Sequence, residues 1–259
     1  MQNEDVKQFY NSFLKSRMLD YRLTNGNERI NLATEFVLKN IKSDDNILEI
    51  GCGIGIVTER IAKKVKNGFI WACDISDQNI WYAKQTVLNK NIEFFSADIF
   101  EQFDLLKKRI NKLIDVFILI DVIEHLPKER HTELIQKLNS IASEDYTILL
   151  TFPSEYYQEY LVQNNSNELQ IIDEIITLDH LLNLTKDNDL FIKYFEYKDV
   201  WMNNQYAHCI IKKKQNIAEL SGNKSSHLIF KILGIFQRYF RRKKYIDKIF
   251  KESKCRKNI

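Results

Sequence analysis

The residues of this chain best suited to chemistry by type and spacing gather at a glycine-rich octet and at the acidic positions that follow it. Residues 48 to 55 read Leu48-Glu49-Ile50-Gly51-Cys52-Gly53-Ile54-Gly55. Glycines at such a strand end let the backbone approach a ligand that any side chain would hold off. Spacing narrows the ligand. A dinucleotide fingerprint, G-x-G-x-x-G, would need glycine at position 56 or 58, where Ile56 and Thr58 stand, and the phosphate loop G-x-x-x-x-G-K-[ST] is absent. Asp74 follows Gly51 by 23 residues, a separation at which a carboxylate can accept hydrogen bonds from both hydroxyls of a ribose. Asp98, Asp121 and His125 come next. A histidine with a pKa near ~6.5 can accept a proton at neutral pH.

These positions require strands that end beside one another. Glu28 to Ile41 has apolar residues near a 3.6 period and predicts a helix, and Ile47 to Ile50 reads as a buried parallel strand. Ile54 to Val65 is then a crossover helix. Strands are expected at 69–73, 92–95, 116–120 and 147–150, with helices over 78–88, 103–113 and, from Pro127, to Ile141. A polar, tyrosine-rich segment from Ser154 to His180 interrupts this rhythm before closing strands over 190–197 and 206–212. The expected fold is α/β: a Rossmann-like, doubly wound, seven-stranded sheet, mostly parallel with an antiparallel C-terminal hairpin, followed by a basic amphipathic helix. Three parts are expected: an N-terminal helical cap over 1–42, a central domain over 43–214 with an insertion at about 152–185, and a tail over 221–259.

The stretch E-x-G-x-G-x-G, with Asp74 at the end of the second strand and Asp121-Val122-Ile123-Glu124-His125-Leu126 after the fourth, resembles the class I S-adenosylmethionine-dependent methyltransferases. The likeness covers about residues 47–152. It implies S-adenosyl-L-methionine as cofactor and S-adenosyl-L-homocysteine as product. It also implies that Glu49, Gly51, Cys52, Gly53 and Gly55 surround the amino-acid part of that cofactor and that Asp74 binds its ribose. Ile75 would pack on the adenine, Asp98 would accept from the adenine amino group beside Ile99, and Asp121 at the end of the fourth strand would also bind the cofactor. His125, with Asp121, and His180 are the candidate catalytic residues; His208 reads as packed inside the last strand and His131 as an exposed helix residue. Tyr156 and Tyr157 either stack on an acceptor ring or pack beneath the insertion, and Tyr10, Tyr21 and Arg29 are candidates for a lid.

Composition bounds the rest. Cysteines at 52, 73, 209 and 255 show neither a disulfide framework nor zinc-ligand spacing, and no metal site is expected. No secretory leader and no run of eighteen apolar residues is present, which points to the cytoplasm. The net charge of +3 hides an asymmetry: residues 221–259 carry twelve basic and two acidic side chains, which leaves residues 1–220 at −7. An acidic body makes a nucleic-acid substrate unfavourable, and no N-P-P-Y-like motif of amino-directed nucleic-acid enzymes follows the fourth strand. Over 227–252 apolar and aromatic residues share one helical face opposite Lys231, Arg238, Arg241, Arg242 and Lys248, a pattern suited to an anionic membrane surface on the inner face, or to docking on the protein itself.

The reading that unites these features is O-methylation of a small-molecule, lipid-linked or glycan acceptor. A non-catalytic adaptor at a membrane and an RNA methyltransferase anchored by the tail are the alternatives, and oligomeric state is left open.

Overall fold

A computed structural model of the chain describes residues 3–13, 19–164 and 169–214. The basic segment over 227–252 lies outside the described residues. Seven strands form one sheet in the order β3-β2-β1-β4-β5-β7-β6. Strands β1 (Asn46–Ile50), β2 (Phe69–Asp74), β3 (Ile92–Ser96), β4 (Ile114–Ile120) and β5 (Ala142–Pro153) run parallel. Strand β7 (Tyr206–Lys213) is antiparallel to β5 and to β6 (Leu190–Lys198), which closes the edge. The winding reverses between β1 and β4. Their C-terminal loops therefore diverge and leave a crevice, the place where open α/β sheets bind ligands.

Alternation along the strands supplies two cores. Ile47, Ile70, Ala72, Val116 and Ile118 face the layer built by α3 (Glu28–Asn40), α4 (Ile56–Ala62) and α5 (Asp77–Thr86). Leu48, Ile50, Trp71, Phe117 and Leu119 face α6 (Phe103–Arg109), α7 (His131–Asn139) and α9 (Leu178–Asp187). Strands covered on both faces must be apolar at consecutive positions, which is why β4 reads Val116-Phe117-Ile118-Leu119-Ile120.

Several boundaries differ from the sequence expectation for local reasons. Helix α4 begins at Ile56 rather than Ile54 because its N-cap, Gly55, is left-handed at φ 78°. After Pro127 a short 3-10 turn over Lys128–Arg130 precedes α7. The tyrosine-rich segment contains a helix, α8 (Glu155–Gln163), whose N-cap Ser154 accepts from the Tyr157 amide, and Thr177 caps α9 in the same way through the His180 amide. At the N-terminus, α1 (Asn3–Phe13) and α2 (Leu19–Leu23) are tied to the body. Lys7 pairs with Asp77 at 2.6 Å, the Ser76 hydroxyl donates to Asn11 at 2.7 Å, and Arg22 pairs with Glu59 at 2.7 Å. Among the described residues no helix is long and apolar enough to cross a membrane.

Candidate active site

A cavity of about 640 Å³ opens over the C-terminal ends of β1, β2, β3 and β4. Its volume lies in the range of small-molecule sites, roughly 300–1,000 Å³. The glycine loop forms one wall. Gly51, Gly53 and Gly55 all have positive φ, at 73°, 53° and 78°. Gly51 is also a point of close approach, since a Cβ there would overlap the Val122 side chain arriving from the loop after β4. The amides of Gly51 and Cys52 both donate to the Cys73 carbonyl, at 2.8 and 3.0 Å, which fastens the loop to the end of β2.

Asp74 organises the next wall. Its Oδ2 accepts from the Gly53 amide at 2.8 Å, and its Oδ1 accepts from the Ser76 amide at 2.8 Å and from Asn79 Nδ2 at 3.3 Å. Burial raises its pKa while these three donors oppose the rise. Glu49 is buried beneath the loop, with one carboxylate oxygen lacking a hydrogen-bond partner, and burial pushes its pKa up to about 7. Cys52, Ile75, Asp98 and Ile99 line the same space. Asp98 also closes its own turn, with Oδ1 accepting from the amides of Phe100 at 2.7 Å and Glu101 at 3.1 Å. A carboxylate offers about four acceptor directions, so both Asp74 and Asp98 retain capacity toward the cavity.

The loop after β4 builds the opposite wall. Asp121 adopts φ 54°, rare for a residue with a side chain, and is held there by its amide, which donates to the Thr151 carbonyl at 2.8 Å. Its Oδ1 accepts from the Thr151 hydroxyl at 3.0 Å, and its Oδ2 pairs with Arg29 of α3. The Arg29 guanidinium lies 5.5 Å from the centre of the Tyr206 ring, so this cation is held by both an anion and a π face. A 3-10 turn over Ile123–His125 then carries Glu124 and His125 to the cavity. His125 Nδ1 sits 2.8 Å from the Ile172 carbonyl and 3.2 Å from Asp173 Oδ1, and its Nε2 lies 3.8 Å from Glu124 Oε1. Burial disfavours the charged ring, but Glu124 and Asp173 outweigh it and raise the His125 pKa well above the ordinary histidine value. The contacts at Nδ1 tie the ring to the 169–177 segment.

The structure brings Glu49, Gly51, Cys52, Gly53, Asp74, Ile75, Asp98, Ile99, Asp121 and His125 to this one cavity. Gly55 sits behind it as the cap of α4. His180 is elsewhere: its Nε2 meets His131 Nδ1 at 2.8 Å, and it does not border the cavity. His131 is buried, not exposed as its sequence context suggests, because the pairing with His180 and the Leu126 carbonyl draws it inward. Tyr157 borders the cavity and Tyr156 is exposed. The lining also includes residues that the sequence did not mark as site residues, among them Glu124, Gln158, Gln170 and Asp173. The D-x-x-E-H spacing was the available signal for Glu124. Nothing in the local sequence marks the other three.

Residues 47–145 match the family described as a methyltransferase domain. Ribosomal protein L11 methyltransferase of Thermotoga neapolitana is 26% identical over 117 residues, covering 45% of this chain and 40% of that protein. Malonyl-[acyl-carrier protein] O-methyltransferase of Halalkalibacterium halodurans is 32% identical over 139 residues, covering 52% of this chain and 50% of that protein. The chain therefore spans half or less of the length of these curated relatives. Among solved structures, magnesium protoporphyrin IX methyltransferase from Synechocystis PCC 6803 with bound S-adenosylhomocysteine superposes with a TM-score of 0.62 at 16% identity, over 82% of this chain and 100% of that one. The sheet order is that of the class I S-adenosylmethionine-dependent methyltransferase fold, and the family match places a methyltransferase domain over residues 47–145.

Proposed function

We propose that the chain methylates an oxygen of a small-molecule, lipid-linked or glycan acceptor, with S-adenosyl-L-methionine as donor. The observation that carries this reading is the continuity of the cavity, which runs from the glycine loop and Asp74 to a buried polar lining on α8 and the 169–177 segment. The residues present fit the cofactor. A loop stripped of side chains offers backbone contact to the amino-acid part, Glu49 and Asp74 offer acceptors for its ammonium and ribose hydroxyls, and Ile75 and Ile99 offer apolar contact to the adenine. The cofactor supplies an electrophilic sulfonium methyl. What the chain supplies is alignment, which can contribute several kcal/mol, and a site partly shut from water, which favours a step in which charge is lost.

The three named relatives carry different acceptors in their names: a ribosomal protein, a malonyl-[acyl-carrier protein] and a magnesium porphyrin. All three are named as methyltransferases. One of them is named an O-methyltransferase, which agrees with the oxygen acceptor proposed. Attachment of 227–252 to an anionic membrane surface is part of the same proposal and rests on its sequence pattern.

Calorimetric titration with S-adenosylhomocysteine tests the donor half. The native chain is expected to bind in the micromolar range or tighter, and Asp74→Ala to lose at least about tenfold in affinity, the equivalent of roughly 1.4 kcal/mol. Absence of binding by the native chain overturns the reading.

A further inference from the structure

We propose that the acceptor is a neutral hydroxyl compound, that Glu124 takes the proton its reacting oxygen loses, and that the Gln158 amide holds it in place. This rests on the methyltransferase reading above. Glu124 is 1% exposed and Gln158 is 2% exposed, yet neither carboxylate oxygen of the first nor either amide atom of the second has a hydrogen-bond partner. Gln170 Oε1 is in the same condition. These residues come from three separate elements, the turn after β4, α8 and the 169–177 segment, and all three border the one cavity.

Buried polar atoms without partners are uncommon because each forfeits its hydration without compensation. Several of them around a single cavity mark where a ligand completes the bonding. Their chemistry says what that ligand presents. An ionised carboxylate only accepts, while a primary amide both donates and accepts, so the complement carries O–H donors and oxygen acceptors together. A carboxylate acceptor fits poorly. It would place a second anion against Glu124 in a water-poor site, where like charges repel strongly. The guanidinium groups of Arg29 and Arg130 both border the cavity, and each is already committed, the first to Asp121 and the second to Glu101 and Glu133.

The step balances without a further reagent. An oxygen lone pair forms the new carbon–oxygen bond, the methyl–sulfur bonding electrons pass to sulfur, and the hydroxyl proton moves to a Glu124 oxygen and later to water. The groups that face Glu124 set its readiness. Burial raises its proton affinity, as does Asp121 at the end of β4, whereas His125 on the same turn and Arg29 from α3 favour the ionised form. Tyr10 of α1 and Asp173 complete the surroundings, and burial drives the Tyr10 pKa up, so its phenol stays neutral. A base of this kind lies near the working pH, where general-base catalysis is most effective.

The test uses the full chain. Titration with S-adenosylhomocysteine comes first, because its failure removes the methyltransferase reading itself rather than this inference. Methyl-labelled S-adenosylmethionine is then offered with two hydroxyl probes, catechol and methyl glucoside, and two carboxylate probes, succinate and octanoate. Label is expected in a hydroxyl probe. Glu124→Gln is expected to lower kcat by about 100-fold or more with KM little changed, and to lose the acid limb of the rate–pH profile, while Gln158→Leu mainly raises KM. Both variants should bind S-adenosylhomocysteine as the native chain does. Glu124→Gln should leave the melting temperature little changed, since it removes the cost of burying a carboxylate together with that carboxylate's 3.8 Å pairing to His125. Transfer confined to carboxylate probes, transfer to neither hydroxyl probe while S-adenosylhomocysteine binds, or a Glu124→Gln variant that keeps more than a tenth of native kcat overturns the proposal. So does a lower melting temperature with an unmoved pH profile, the signature of a structural carboxylate.

Discussion

At the scale of single residues, the site depends on two backbone conformations that are costly for most side chains. Gly51 combines φ 73° with close approach to Val122. Replacing it by alanine adds left-handed strain of about 1–2 kcal/mol and an overlap that the β4 loop must yield to, typically 1–3 kcal/mol. Gly51→Ala is therefore expected to destabilise by about 2–5 kcal/mol, seen as a fall in melting temperature, and to weaken S-adenosylhomocysteine binding because Val122 and Asp121 move together. A variant with native melting and native affinity would show that the loop does not depend on this contact. Asp121, at φ 54°, is the second such residue. Its carboxylate is fixed by Arg29 and Thr151 rather than left to the cavity, so the strain serves to fasten α3 to the ends of β4 and β5. The acidic strand ends were legible in the sequence because each follows an apolar run. The partnership of Asp121 with Arg29, 92 residues away, was not, since only the folded sheet brings α3 over the switch point.

At the scale of elements, the His131–His180 contact joins α7 to α9 and makes their docking pH-dependent. His131 Nε2–H donates to the Leu126 carbonyl at 3.0 Å, so its Nδ1 must accept from His180 Nε2–H. That arrangement requires a neutral His131, and burial, with a smaller contribution from His180, lowers its pKa to about 4. The unfolded chain, with histidine near ~6.5, binds more protons between those values, so the stability contributed is full above about 6.5 and is lost as pH falls toward 4. The contribution amounts to a few kcal/mol at most, on the order of 1.4 kcal/mol per pH unit. Melting curves from pH 7.5 to 4.5 should fall more steeply for the native chain than for His131→Gln; parallel curves would remove the histidine pair as the cause. His208, which burial also shifts to about 4, changes in the same direction in both proteins and cancels in the comparison. Helices α3 and α5 were legible because they combine a periodic apolar face with a capping Asn27 or Ser76. Helices α8 and α9 were missed. Their caps, Ser154 and Thr177, are equally good, but the tyrosines and charges around them blur the apolar period that would have flagged a helix.

At the scale of the whole molecule, the separation of charge along the chain assigns any attraction to an anionic surface to the 221–259 segment, against the charge of the body. Residues 1–220 carry a net −7 and would be repelled by an anionic bilayer, while residues 221–259 carry +10. Each basic side chain near such a surface contributes about 1 kcal/mol, and that attraction weakens as salt shortens the screening length from roughly 10 Å at 0.1 M to 3 Å at 1 M. On a helix over 227–252 the sequence pattern would bring Ile229, Ile232, Phe236, Tyr239 and Phe240 to one face, and their burial would add an attraction that salt does not weaken. The full chain is therefore expected to sediment with phosphatidylglycerol vesicles at 0.1 M salt, to be mostly retained on phosphatidylglycerol but not on phosphatidylcholine, and to be released progressively toward 1 M. A chain ending at residue 220 should remain in the supernatant under all these conditions while binding S-adenosylhomocysteine as tightly as the full chain. Sedimentation of the shortened chain would assign the attraction to the body, against its charge, and equal sedimentation with neutral vesicles would assign it to the apolar face alone. Either outcome would detach the basic residues from membrane binding and, with them, the argument for a lipid-linked acceptor, while leaving the hydroxyl chemistry proposed for Glu124 intact.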